Sequence, residues 1–398
     1  MEILYFGKIC DEDIYKKKKS KQQPYFIAQY MYEKALYEEL INDESIEIDV
    51  VSIFQTDYFP KDKLYFSKKK STLNFKYLSF VNLPFFREVS YFFTACIQIY
   101  KWNRLNRSPS TIKYLYSSSH FPPVSAAIII MSKILSIKTV VTFTDLPLFT
   151  YSKERIKKMK IYKRLVIKPY LKLIKFLQEN YDNYILFSSA MNKVVNPKNK
   201  PSLIIEGIYN AFGLDLRNTT KRHAIAHAGT LNKEVGIQKI LDVFSLVDDK
   251  SLELWLIGKG DMVDDIISQS KADDRIKYLG FLSREDVFTK LKEAKLLVNL
   301  RNPDDEYTKY SFPSKMFEYM VSGTAVLSTR LEGIPEEYYD YIYAIDEYDD
   351  NQICSHMMNI LNEKEMNMNK RGKNAQEFIL QKKTSKIQER RIREFLSK

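Results

Sequence analysis

The 398-residue chain has few of the residues that staple or punctuate a fold. Its three cysteines, Cys10, Cys96 and Cys354, lie far apart and form no C-x-x-C pair. Neither a disulfide framework nor a zinc site is expected, and the compartment is expected to be reducing. There are four histidines, with no HExxH, no Ser/His/Asp set and no P-loop, so hydrolase, metalloenzyme and kinase readings have no support. Eleven glycines argue against low complexity or long flexible linkers. The longest apolar candidate, "VSAAIIIMSKILSI", is interrupted by Lys133 and falls short of the roughly 18 residues that a bilayer crossing needs. The start, "MEILYFGKIC", lacks the basic region of a signal peptide. The expected location is cytoplasmic, peripheral on the inner face of the plasma membrane.

What is present is the composition of a globular protein, 45% hydrophobic and 28% charged, at a length that predicts two domains. The net charge of +12 is uneven: residues 1–220 carry an excess of +14 and the rest −2. The excess concentrates in "SKERIKKMKIYKRLVIKPYLKLIKF" (152–176), where ten basic residues face one acid, Glu154. Such a field attracts polyanions. Apolar residues recur there at mixed spacings of three and four, with Pro169 kinking or splitting the helix. The pattern suits a helix lying on an anionic membrane surface. The plain alternative is a domain helix with solvated lysines. Nucleic acid ranks last as a partner, because no reader motif accompanies the charge.

Periodicity predicts strands at "EILYFG", "IEIDVVSIF", "TIKYLYSSS" and "KTVVTFTDL", with helices at "QQPYFIAQYMYEKALYEELI" and "VSAAIIIMSKILSI". A second strand–helix alternation starts at "HAIAHAGTL" and runs through "GIQKILDVFSLV", "LELWLIGKGD", "RIKYLGFL" and "GTAVLST". Alternating strands and helices predict an α/β fold with two parallel-sheet, Rossmann-like domains. The expected division is a first domain over 1–211, a polar linker at 212–223, a second domain over 224–380, and a basic amphipathic C-terminal helix at 381–398. That helix either closes the second domain or reaches back to the first. Ligands of such folds gather at the carboxyl ends of the strands, and here the cleft between the domains would add to that site.

In "FPSKMFEYMVSG" (312–323), Pro313 and Ser314 suit the first turn of a helix, whose free N–H groups and positive dipole end favour a diphosphate. Met316 and Met320 fall on an apolar face from which Glu318 points away, toward solvent or toward a ligand's hydroxyls. Glycines end the preceding strands, Gly229 in "HAGTL", Gly258 and Gly260 in "LIGKGD" and Gly280 in "YLGFL". A lone G-x-G is also simply a strand-to-helix turn.

This succession, together with "VVTFTDLP" and "NPKNKPSLIIEGIYN", resembles the family-4 retaining glycosyltransferases of the GT-B fold, of the bacterial capsule and exopolysaccharide type. The resemblance implies transfer of a hexose, with retention, from a UDP- or GDP-sugar to a lipid-linked or glycan acceptor, with no bound metal and no nucleic acid. It implies that the second domain holds the nucleotide-sugar through Gly229, Thr230, Gly258, Lys259, Gly260, Phe281, Leu282, Ser311, Pro313, Ser314 and Lys315. Glu318 would bind the ribose, and Gly7 would let the backbone approach the donor phosphate. Two places depart from the family: Tyr310 stands where a first acid is usual, with Asp304, Asp305 and Glu306 just upstream, and Thr230 and Val235 stand at the two basic positions of the diphosphate clamp. Lys233, between those two, is the candidate catalytic cation, with Lys315 and Arg301 in reserve. Asp145 falls near where relatives place a histidine beside the transferring sugar, but it would serve equally as an N-cap before Pro147. His120 and Glu206 are weaker candidates. The competing readings are a GT-B-fold sugar-nucleotide epimerase and a catalytically degenerate partner of an active transferase.

Overall fold

The computed structural model describes residues 1–12, 24–53, 56–67, 75–105, 111–146, 161–210, 215–217 and 219–398, and only the backbone of 24–28 and 161–166. The chain packs as two compact units, Met1–Ile208 with Gln388–Lys398, and Tyr209–Ile387.

The first unit runs β1 (Glu2–Gly7), α1 (Pro24–Leu40), β2 (Glu47–Ser52), β3 (Tyr65–Phe66), β4 (Lys76–Tyr77), β5 (Phe80–Val81), α2 (Phe86–Arg104), β6 (Lys113–Ser117), α3 (Pro122–Leu135), β7 (Lys138–Phe143), α4 (Ile161–Gln178), β8 (Asn183–Leu186), α5 (Ser189–Val195) and β9 (Ser202–Ile204). Seven strands form one parallel sheet in the order β4-β2-β1-β6-β7-β8-β9, and β3 pairs with β5 antiparallel. Every residue of β1 and of β8 is buried, as expected of parallel strands covered on both faces.

The second unit runs β10 (Arg222–Thr230), α6 (Ile237–Ser245), β11 (Glu253–Lys259), α7 (Val263–Ala272), β12 (Ile276–Gly280), α8 (Arg284–Glu293), β13 (Ala294–Asn299), α9 (Glu306–Tyr310), α10 (Lys315–Val321), β14 (Ala325–Thr329), β15 (Tyr343–Ile345), α11 (Asp350–Leu361) and α12 (Glu365–Lys382). Its six-stranded sheet is parallel throughout, in the order β12-β11-β10-β13-β14-β15. Alternate residues of each strand feed two cores. Ile225, Leu254, Leu256 and Leu327 pack on one face, and Ala224, Ala226, Trp255, Ile257 and Val326 on the other. With both faces of the sheet sealed, polar ligands can approach only its edge.

Two departures from the sequence reading bear on the surface of the first unit. α2 carries apolar residues on its buried and its outer side alike, which flattens the periodicity that would have marked it. The basic stretch forms one helix from Ile161 that continues through Pro169 instead of splitting there, with Ile174 and Leu177 buried. Residues 152–160 lie outside the described residues.

The last helix, α13 (Ser385–Leu396), leaves the second unit and seals the core of the first. Ile392 and Leu396 pack with Ile3 and Tyr5. The Tyr114 hydroxyl donates to the Leu396 carbonyl at 2.6 Å, and Arg393 reaches Asp43 at 2.8 Å.

Candidate functional site

Because all strands of the second sheet run the same way, β10, β11 and β12 end along one edge. Gly229 pairs with Gly258, and Gly280 follows opposite Ile257. Gly258 has φ +142°, and a Cβ there would stand 1.8 Å from the Gly229 carbonyl oxygen, so only glycine fits. Gly260 is equally tight against the Leu231 carbonyl. The loop after β10 is tied to the loop after β11. Leu231 N–H donates to Lys259 O (2.8 Å), Met262 N–H to Leu231 O (3.0 Å) and Asp261 N–H to Asn232 Oδ1 (3.0 Å). These two turns form a rigid backbone platform.

α10 ends on this platform. Ser314 is its N-cap, in helical conformation and with no side-chain cap bond, and Pro313 precedes it, so the helix starts two residues later than the sequence suggested. Met316, Phe317, Met320 and Val321 are buried. The Tyr319 hydroxyl accepts from Ala228 N–H (2.7 Å) and donates to Ala228 O (3.0 Å), bracing the end of β10. Gly323, at φ +73°, turns the chain into β14.

On the open side of α10, the Lys315 side chain lies over Gly229, its Cγ 3.4 Å from where a Cβ would be. Its Nζ reaches Glu318 Oε2 at 2.7 Å. Glu318 is 23% exposed in its side chain, neither immersed in solvent nor sealed. Three-residue spacing on a helix puts the ammonium beside the carboxylate, so one oxygen of Glu318 is already engaged and the other is left for a further donor. Glu318 also helps to hold the Tyr209 phenol up at about 12, after burial as the main cause.

Other cations approach the same edge. Arg301 follows β13, its Nε is buried without a partner, and burial lowers its pKa. Lys259 lies over the Phe281 ring at 4.2 Å, and Phe281 is 69% exposed beside Leu282. Lys233 is exposed in a 3₁₀ turn, Lys233–Val235, before α6, and Thr230 is exposed at the end of β10. Ser311 is half-buried between α9 and α10, and Tyr310 closes α9. His227, two residues before Gly229, is buried and shares a hydrogen bond with Val298 O, and burial pushes its pKa down to about 4. Sequence reasoning missed His227 and the bracing role of Tyr319. The alternation of "HAIAHAG" was the only signal for the first.

In the first unit the strand ends are built differently. A Cβ on Gly7 would meet Glu33 Oε2 and Tyr5 Cε1, both at 2.5 Å, so side chains close on this glycine, not backbone. Glu33 is fully buried on α1. It accepts from Lys8 N–H at 2.5 Å and from Gln29 Nε2 at 2.8 Å, and Lys8 Nζ donates to Gln29 Oε1 at 2.7 Å. Burial raises the Glu33 pKa and lowers that of Lys8, while each charge favours the other. Nothing in the sequence sets Glu33 apart from its helix neighbours. Asp145 is exposed just after β7, within electrostatic reach of Lys8. The residues it would cap lie outside the described ones. His120 stacks on Phe143 and lies 3.4 Å from Ser125 Oγ, and burial lowers its pKa to about 4. Glu206 is buried.

The family described as Glycosyl transferases group 1 matches residues 215–378, which hold the whole platform and α10. N-acetyl-alpha-D-glucosaminyl L-malate synthase of Bacillus anthracis is 24% identical over 226 residues, 52% of this chain and 57% of that protein. The chain thus matches little more than half the length of that curated relative. HepE of Anabaena, solved in complex with UDP, superposes over 100% of both chains with a TM-score of 0.63 at 14% identity. Sucrose-phosphate synthase of Thermosynechococcus elongatus does so over 100% of this chain and 99% of its own, with a TM-score of 0.59 at 14% identity. The fold is therefore that of the GT-B glycosyltransferases, and residues 215–378 are similar to the group 1 glycosyl transferases.

Proposed function

We propose that this chain is a retaining glycosyltransferase that moves a hexose from a UDP- or GDP-sugar to a lipid-linked or polysaccharide-precursor acceptor in the synthesis of cell-surface polysaccharide. The observation that carries the reading is Lys315 laid over Gly229 and bonded to Glu318, at the sheet edge of the segment similar to the group 1 transferases. Lys315, with Lys233 and Arg301, offsets the charge that builds on the departing diphosphate, an electrostatic role that needs no bound metal. The second oxygen of Glu318 accepts from the ribose hydroxyls, and Phe281 with Leu282 faces the base. The first unit takes the acceptor, with Asp145 beside the transferring sugar and Gly7 near the phosphate. A donor phosphate oxygen takes the acceptor's proton.

The test is a thermal-shift screen of UDP, GDP and their sugars, since a ligand bound only by the native state raises the melting point. The anomeric configuration of any product is then read by NMR. Binding that is lost in Glu318→Ala, and a product of retained configuration, support the reading. A wild type that neither binds nor transfers from any of these donors overturns it. Tyr310 and Thr230, at places where the family carries charged groups, favour the second reading, a degenerate partner of an active transferase, and measured transfer would exclude it. The basic α4 suits a peripheral position on an anionic membrane, where a lipid-linked acceptor would also lie. No helix among the described residues is long and apolar enough to cross a bilayer.

A further inference from the structure

α2 inverts the usual rule for a helix on a sheet. Its inner side buries Tyr91, Ala95, Ile99 and Trp102. The opposite side should be polar. Yet every exposed residue from Phe86 to Tyr100 is apolar or aromatic, namely Phe86, Val89, Phe93, Ile97 and Tyr100. Their spacing of three, four, four and three puts them in one stripe diametrically opposite the buried one. Lys101 and Arg104 follow at its end. α2 packs on α3, and α3 on α4, and these neighbours expose Ile130 and Ile134, then Leu173 and Phe176 beside Lys172 and Lys175. An apolar surface of this kind marks an interaction site.

The entry to the stripe is strained. Phe85 has φ 67° and ψ −49°, and Phe86 N–H bonds to Pro84 O at 2.8 Å, which makes a γ-turn of the rare hand with a phenylalanine at its centre. The turn sets the Phe85 ring out at 74% exposure, edge-on to Phe86. A bulky residue held there against backbone preference points to a use for its exposed ring.

We propose that the outer face of α2, continued on α3 and α4, is a monotopic docking surface for an anionic lipid bilayer, with the phenylalanines inserted among the acyl chains and the basic residues at the headgroups. Charge selects this occupant. Across the three helices the one acid is Glu88, which is already bonded to the Tyr58 hydroxyl at 2.9 Å. Against it stand the exposed cations Lys101, Arg104, Lys133, Lys168, Lys172 and Lys175. A second copy of the chain docked face to face would set cations mostly against cations, since Glu88 and, one residue past α4, Glu179 (3.8 Å from Lys175) are both already engaged, whereas anionic headgroups complement them. The proposal deepens the membrane part of the proposed function and rests on it only for the choice of a bilayer.

The test uses the full chain and sedimentation with two vesicles, phosphatidylcholine alone and phosphatidylcholine mixed with phosphatidylglycerol. Wild type should pellet with the mixed vesicles. The triple variant Phe86→Ser/Phe93→Ser/Ile97→Ser, altered only at outward positions, should lose about tenfold or more in partitioning while keeping its melting temperature. Lys172→Glu/Lys175→Glu should lose the preference for the mixed vesicles. Phe85→Gly relieves the γ-turn, so its melting temperature should hold or rise while its partitioning falls, and it keeps the test decisive should the triple variant unfold. The proposal is overturned by a wild type that stays in solution with both vesicles, by variants that pellet as wild type does, or by a wild-type dimer that the triple variant converts to monomer. Vesicle binding needs no nucleotide, so its failure and failure of the nucleotide screen are read separately.

Discussion

The two sheets of this protein end in opposite kinds of chemistry. At the edge of the second sheet the close contacts are backbone on backbone, Gly258 on the Gly229 carbonyl and Gly260 on the Leu231 carbonyl, with side-chain charge added from α10. At the edge of the first, the close contacts at Gly7 are side chains, a buried carboxylate above all. A backbone platform presents the same groups whatever sugar is attached to a diphosphate, so it suits the constant part of a donor. A network of buried titratable side chains can differ from one protein to the next without disturbing the sheet. On the proposed function, that is the place for acceptor specificity.

The sharpest way to break this contrast is at the glycines. Gly258→Ala forces a methyl into a carbonyl oxygen that has no room to retreat, at φ +142°, and should cost about 3 kcal/mol or more in denaturant unfolding, or prevent folding. Gly280→Ala is the control: at φ +74° nothing lies within 4 Å of the new Cβ, and about 1 kcal/mol is expected. Equal costs for the two would mean that the platform is not close-packed.

In the first unit, Glu33→Ala should cost about 3 kcal/mol, because it strands the Lys8 amide and Gln29 in a buried place. Glu33→Gln keeps the shape but places one donor against another, so its cost should fall between alanine and wild type. A neutral Glu33→Ala would show that water already serves these groups.

Acid should weaken both units alike. His120 and His227 are each held at about 4, against an ordinary 6.5. Above 6.5 neither the folded nor the unfolded chain protonates them, and that stability is fully present. As the pH falls from 6.5 toward 4 the unfolded chain takes up protons that the folded chain refuses, and stability is lost at about 1.4 kcal/mol per pH unit for each histidine. Melting temperature against pH in His120→Gln and His227→Gln should show a shallower acid limb than wild type. An unchanged slope in either variant would mean that its histidine protonates freely in the folded state.

The contrast also explains what the sequence could and could not show. The glycine-ended strands and "FPSKMFEYM" were legible because glycine and proline act through backbone geometry, which a local sequence dictates. Glu33 was not legible, since its role depends on Lys8 arriving from 25 residues away. Lys315 stood in plain view three residues before Glu318, but only the close approach of α10 to Gly229 singled it out over Lys233. α2 escaped notice because two apolar faces erase the period that one would produce.

Lys315 gives the smallest effect on stability and sharpens the contrast most. Its pair with Glu318 is a three-residue helix pair, with the lysine side chain 41% exposed, worth no more than about 0.5 kcal/mol. Lys315→Ala should therefore barely move the unfolding midpoint, in contrast to Gly258→Ala. If the ammonium over Gly229 is there for a diphosphate, the same variant should weaken UDP or GDP binding about tenfold, as expected on losing a charge-assisted bond, and Lys315→Arg should recover part of it. A Lys315→Ala protein that binds the nucleotide as well as wild type would shift the cationic role to Lys233 or Arg301. It would also leave the Lys315–Glu318 pair as a surface ion pair with no part in the site.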